Sequence, residues 1–162
     1  MTGDVFISIV PGVWKDAFTE WGVNLEDGAL SALMTPPPMK EFIESKSRLL
    51  HGKSVITKAP RYDSRDITLP FHIVARSRNE FFLKYNKFCD DVLSNGSFSL
   101  KTKYQPAISM TVDGSPVAIP EVVYHLVYLS CTQFSQFQQQ LAKFTLKVCE
   151  PNPADRTESV TI

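Results

Sequence analysis

No GxSxG elbow, Walker A loop, GxGxxG fingerprint or HExxH pair occurs in the 162 residues. The geometries that activate a serine, cradle a phosphate or seat a catalytic zinc therefore have no counterpart in the sequence. Excess charge of one sign is also missing. Seventeen basic residues balance seventeen acidic ones, which leaves no long-range attraction to an anionic membrane and gives no reason to expect specific nucleic acid binding. The same balance removes self-repulsion and suits a chain that packs against copies of itself. No run approaches eighteen consecutive apolar residues, so no membrane-spanning segment is expected. The opening MTGDVFISIVPGVWKD has neither the positive n-region nor the apolar core of a signal peptide. Cysteine is scarce and odd in number: Cys89, Cys131 and Cys149 lie far apart without a CxxC pair, as expected of reduced thiols in a cytoplasmic product.

What is present organises around residues 77–96. Ser77-Arg78-Asn79-Glu80 has the form of a capping box, with the serine oxygen accepting from the Glu80 amide and the Glu80 carboxylate reaching back to the Ser77 amide. Phe81, Phe82, Tyr85, Phe88, Cys89, Val92 and Leu93 then recur at helical spacing and share one face, and Asn95-Gly96 supplies a left-handed stop. So aromatic a face needs a large apolar partner, which the β-rich remainder provides.

Residues 5–10 read as a strand ended by Pro11-Gly12, and residues 16–21 as one or two helical turns stopped at Gly22. Thr35-Pro36-Pro37-Pro38 must be extended. Residues 39–50 fit neither period, and residues 54–58 form a short strand. Ile67, Leu69, Phe71 and Ile73 alternate with Thr68, Pro70, His72 and Val74 in a strand over 66–75; Pro70, which cannot donate to a ladder, places that strand at a sheet edge or bulge. Asp113-Gly114 suits a type I′ turn in a hairpin over 108–119, with Ile108 opposite Ile119 and Met110 opposite Val117. Residues 122–129, apolar on both faces, read as a central, well-covered strand. In 142–149, Ala142, Phe144, Leu146 and Val148 alternate with Lys143, Thr145 and Lys147. The whole chain reads as a single domain, 1–162, with residues 1–4 and 151–162 as flexible ends or assembly arms.

Chemistry is thinly represented. His72 and His125 lack metal-ligand spacing and read as hydrogen-bonded strand histidines, so no metal or cofactor is expected. Cys131, with His125 upstream, is the one conceivable thiol nucleophile, and no activating feature accompanies it. The basic stretch from Lys58 to Arg65 reads as a solvated loop. Residues 131–140 place Phe134 and Phe137 among glutamines in a loop between two strands. Its rings either fold back onto the chain's own core or dock on a neighbouring subunit.

Several of these segments carry a resemblance. They are residues 28–33 with Thr35-Pro36-Pro37-Pro38-Met39-Lys40, His51-Gly52-Lys53, residues 65–73, the helix over 81–93 and residues 128–134. Residues 143–147, followed by Glu150-Pro151-Asn152-Pro153 and Arg156, complete the set. Together they resemble a family of tail proteins from prophages of Bacteroidales-type bacteria and, more distantly, the distal-tail and tail-tube proteins of long-tailed phages. The resemblance implies an α+β fold: a mostly antiparallel β-sandwich or barrel with one long amphipathic helix packed across it. It implies a non-enzymatic structural subunit of a tail or baseplate, made in the bacterial cytoplasm and residing in the virion tail. Its partners would be itself, as a ring of six, and other tail proteins. Under that reading the candidate subunit contacts are Asp113 and Gly114, Phe134 and Phe137, and Pro70 on its strand. The other reading is a monomeric ligand-binding β-barrel module with an apolar cavity.

Overall fold

The computed structural model describes residues 3–49 and 51–158. The chain runs through β1 (Val5–Ser8), β2 (Lys15–Asp16), α1 (Ala17–Trp21), β3 (Val23–Leu25) and α2 (Ala29–Met34), then β4 (Ile43–Ser45), β5 (Ser54–Ile56) and β6 (Arg65–Val74). It continues through α3 (Arg78–Phe88), a π-helical turn (Cys89–Leu93), β7 (Ser97–Thr102), β8 (Ile108–Val112), β9 (Ser115–Ile119), β10 (Tyr124–Phe137) and β11 (Leu141–Glu150). Seven strands form one sheet in the order β2-β1-β7-β10-β11-β6-β3, with every pairing antiparallel. The sheet curls until the two sides meet, where the Asp4 amide donates to Asn24 Oδ1 at 3.2 Å. The fold is α+β, as expected.

One face of the sheet is apolar because alternate residues of each strand face it. Ile7, Leu100, Leu126, Leu146, Phe144 and Leu69 are buried there. The helices supply Trp21, Leu33, Phe81, Phe88 and Val92 from the opposite side. Trp21 and Phe88 meet edge to face at 6.1 Å, and the Trp21 Nε1–H donates to Asp91 at 3.2 Å.

The long helix starts where expected, but its cap is half of the expected one. Ser77 Oγ accepts from the Glu80 amide at 3.2 Å, while the Glu80 carboxylate reaches the Arg76 amide rather than that of Ser77. Phe82 lies off the apolar face and is exposed. From Cys89 the helix widens to π pitch, and the Ser94 amide donates five residues back to the Cys89 carbonyl at 2.9 Å. Val92, four residues beyond Phe88, is buried on the core face of this turn.

Three strand expectations are corrected. Residues 131–137 are not a loop: β10 carries on to Phe137, with irregularities between Tyr128 and Ser130 and between Cys131 and Gln133. The turn is reduced to Gln138, Gln139 and Gln140. Secondly, β10 is central but covered on one face only, with Leu129 exposed. Thirdly, β6 is next to last rather than at the edge, paired with β11 along its length. The Pro70 carbonyl accepts from the Glu26 amide at 3.0 Å. Because the N–H and C=O of one strand residue project to the same side, the missing donor of Pro70 falls where β3 has already ended.

Gly22 closes α1 with φ +68°, and a Cβ there would lie 2.6 Å from the Val74 carbonyl oxygen. Gly22→Ala therefore combines left-handed strain with a backbone clash, and a loss of at least about 2 kcal/mol is expected in denaturant unfolding.

Candidate assembly surfaces

Arg65, expected in a solvated loop, is buried together with Glu150. Its Nε donates to Glu150 Oε1 at 2.7 Å. Its other nitrogens donate to the carbonyls of Ala32, Leu33 and Thr35, the last acceptors of α2. Arg156 completes the group, donating from Nη2 to Oε1 at 2.9 Å and from Nε to Oε2 at 3.2 Å. Both guanidinium groups lie over the Tyr124 ring, at 5.9 and 5.1 Å, and the Tyr124 hydroxyl donates to Gln105 Oε1 at 2.9 Å. This network sits where three excursions leave the sheet: residues 35–64, residues 105–122 and the C-terminal segment.

That C-terminal segment, expected as a flexible end or arm, returns along the sheet as far as residue 158. The Val123 amide donates to the Arg156 carbonyl at 2.9 Å, His125 Nε2 lies 2.7 Å from the Thr157 carbonyl oxygen, and Trp14 Nε1–H donates to Glu158 at 2.9 Å. Residues 1, 2 and 159–162 lie outside the described residues.

The two excursions are projecting arms. Residues 39–62 pair on themselves, through Met39 with Tyr62 and through β4 with β5. The β8–β9 hairpin has the expected register, Ile108 opposite Ile119 and Met110 opposite Val117. Asp113 and Gly114 at its tip have φ +50° and +78°, as a type I′ turn requires. All ten strand residues of this hairpin are exposed. Pleating puts Ile108, Met110, Val112, Val117 and Ile119 on one face, each 37–52% exposed. A two-stranded hairpin alone is marginal in water, and contiguous exposed apolar faces are candidate interaction surfaces.

The β10–β11 tip is a third projecting feature. Gln138 and Gln139 both adopt positive φ, 51° and 59°, a conformation that costs a non-glycine residue about 1 kcal/mol each. The two phenylalanines divide between the two readings. The Phe134 ring stacks on Phe144 at 6.5 Å and meets Tyr85 at 5.6 Å, yet remains 47% exposed. Phe137 faces outward and, with Pro70, Glu26, Asp27 and Lys143, lines a cleft of about 310 Å³. Phe134→Ser should therefore cost about 1–3 kcal/mol of monomer stability. Phe137→Ser should stay within about 0.5 kcal/mol, as chemical denaturation of the two variants would reveal.

Beneath Phe134, burial raises the Tyr85 and Tyr128 phenols and the Cys89 thiol, the last against a lowering contact from Tyr85. Acids whose folded pKa is raised hold their protons more tightly in the folded state. Their contribution is complete below the unfolded values and lost as pH climbs through the folded ones. Thermal stability should accordingly fall above about pH 9–10.

The residues considered for chemistry remain apart. His72 lies with its Nδ1 2.9 Å from Glu26 Oε1, without the alignment of a hydrogen bond, and His125 Nδ1 pairs with Ser99 Oγ at 2.8 Å. Strand β11 separates their two strands. Cys131 is exposed and its thiol donates to the Gln133 carbonyl at 3.2 Å. Among the described residues, no three His, Cys, Asp or Glu side chains group as metal ligands, and no helix is long and apolar enough to cross a membrane. Inside the curled sheet, where a ligand-binding barrel would hold its cavity, Trp21, Phe71, Phe81 and Phe88 fill the space.

No protein-family model and no curated protein matches the chain. Solved structures share its fold, among them two of the phage p2 baseplate in its activated conformation, one with Sr (TM-score 0.56, 12% identity, 90% of this chain) and one with Ca (TM-score 0.53, 13% identity, 88% of this chain). In each case the chain spans 43% of the baseplate protein's length.

Proposed function

We propose that the protein is a structural, non-enzymatic subunit of a phage tail or baseplate. It would assemble by self-association into a ring and bind other tail proteins, as its resemblance to prophage tail proteins implies. The observation that carries this reading is the β8–β9 hairpin: a projecting arm whose apolar face is 37–52% exposed among the described residues. A second subunit laid against Ile108, Met110 and Val117 covers what the monomer leaves wet. The fold shared with baseplate proteins supports the same reading, as do the projecting arms rooted on the Arg65–Glu150–Arg156 network. Asp113 and Gly114 aim the hairpin, while Pro70 and Phe137 offer a second contact on the sheet.

Negative-stain electron microscopy of the purified chain at high concentration, after mild cross-linking, tests the proposal. Closed rings, sixfold if the resemblance extends that far, are expected. Isolated globular particles under every condition would contradict it.

A further inference from the structure

The arm over residues 39–62 differs from the β8–β9 hairpin in one respect, its charge. Lys46, Arg48, Lys53, Lys58 and Arg61 lie within residues 46–61, and none of the seventeen acidic residues does. With Lys40, Glu41 and Glu44 counted, the arm over residues 39–62 carries six of the seventeen basic residues and two of the seventeen acidic ones, and the remainder of this neutral chain carries four more acidic than basic side chains. Of the five basic residues within 46–61, only Lys53 has an ion-pair partner among the described residues, Glu44 at 2.6 Å. The arm is not seated on its own body: residues 43–49 and 51–64 are exposed, and Leu49 is 93% exposed near the tip. The molecule is therefore polar end to end, a basic arm on an acidic body.

We infer that this basic arm docks on the acidic body of a second copy of the chain, with the cleft between Pro70 and Phe137 as its seat. The inference rests on the assembly reading above and specifies which surfaces meet. The cleft has the complementary chemistry. Asp27 is exposed at its rim. Asp66 is exposed on β6, in the same outward row as Pro70. Pro70 and Phe137 give an apolar floor for Leu49. Lys143, 4.0 Å from Glu26 Oε1, lies against that carboxylate, so Asp27 is the cleft carboxylate that faces the incoming arm, with Asp66 beyond the cleft along β6 and Lys147 beside it on β11. An arm-to-body contact joins unlike surfaces and is head-to-tail, the type of contact that closes rings. Electrostatic attraction of this kind sets register and speeds encounter, and it weakens with added salt.

The test uses the full chain with two sets of reversals, Lys46→Glu with Arg48→Glu on the arm and Asp27→Lys with Asp66→Lys on the body. Each set alone is expected to weaken self-association at low salt by about tenfold or more. An equimolar mixture of the two is expected to regain it, because an acidic arm then meets a basic body. Arm-reversed protein that assembles as strongly as the unaltered chain would overturn the inference. If such a chain still loses assembly on Met110→Thr with Val117→Thr, the assembly reading stands without the arm. Should arm reversal abolish binding to a DNA duplex while leaving self-association intact, the arm's partner would be a polyanion, and the inference falls. An unaltered chain that stays monomeric at low salt would overturn both readings.

Discussion

Replacing Glu150 with alanine is expected to destabilise the protein by about 3–5 kcal/mol, the largest effect of any single side chain outside the apolar core. The carboxylate is fully buried and accepts from both arginines. Its removal leaves Arg65 as a buried cation with only carbonyl partners and frees Arg156 from the sheet. For a domain of this size each kcal/mol shifts the melting temperature by about 2–4 °C, so a fall of roughly 10 °C is expected in calorimetry. A compensated pair, Arg65→Met with Glu150→Leu, should recover much of the loss, since well-packed apolar residues often replace a buried ion pair without penalty. Recovery will be incomplete because Arg65 also satisfies the Ala32, Leu33 and Thr35 carbonyls, and losing those partners costs about 1–3 kcal/mol. A Glu150→Ala protein within about 1 kcal/mol of the original would show that the network does not hold the arm bases.

Met110→Thr with Val117→Thr should separate folding from assembly. Both side chains are exposed on a projecting hairpin, so monomer stability should move by no more than about 0.5 kcal/mol. Threonine is β-branched, a shape strands favour, and the type I′ turn at Asp113-Gly114 is untouched. Association is another matter. Burying two apolar side chains against a partner is worth about 2 kcal/mol or more, and its loss weakens each contact roughly thirtyfold. Sedimentation velocity would read this directly. Equal assembly by the variant would remove the hairpin from the interface, and a collapse of its melting transition would place these residues in the monomer's own core.

The sequence was most legible where periodicity ran unbroken. Ala142, Phe144, Leu146 and Val148 alternate without interruption and are buried as read. The Asp113-Gly114 pair announced both its turn and its register, and Ser77 announced the helix start. Legibility failed where local pattern and tertiary role diverge. Two irregularities in β10 shift its phase, so the alternation of residues 131–137 vanished among glutamines although the strand continues. The three-residue β3 and six-residue α2 are too short to carry a period. Arg65 read as one more charge in a basic stretch because its partner Glu150 lies 85 residues away. How the candidate contacts are arranged was not legible in the sequence. Pro70 and Phe137 share one cleft, Phe134 is half committed to the core, and Asp113 and Gly114 stand on a separate arm.

The central claim is that the projecting arms exist to be covered by another copy. Molar mass by light scattering across a wide range of concentration, at low salt, tests it most directly. The account predicts a mass that rises from the 18.2 kDa of one chain to a defined multiple and falls back on Met110→Thr with Val117→Thr. A mass of one chain at every concentration would contradict it.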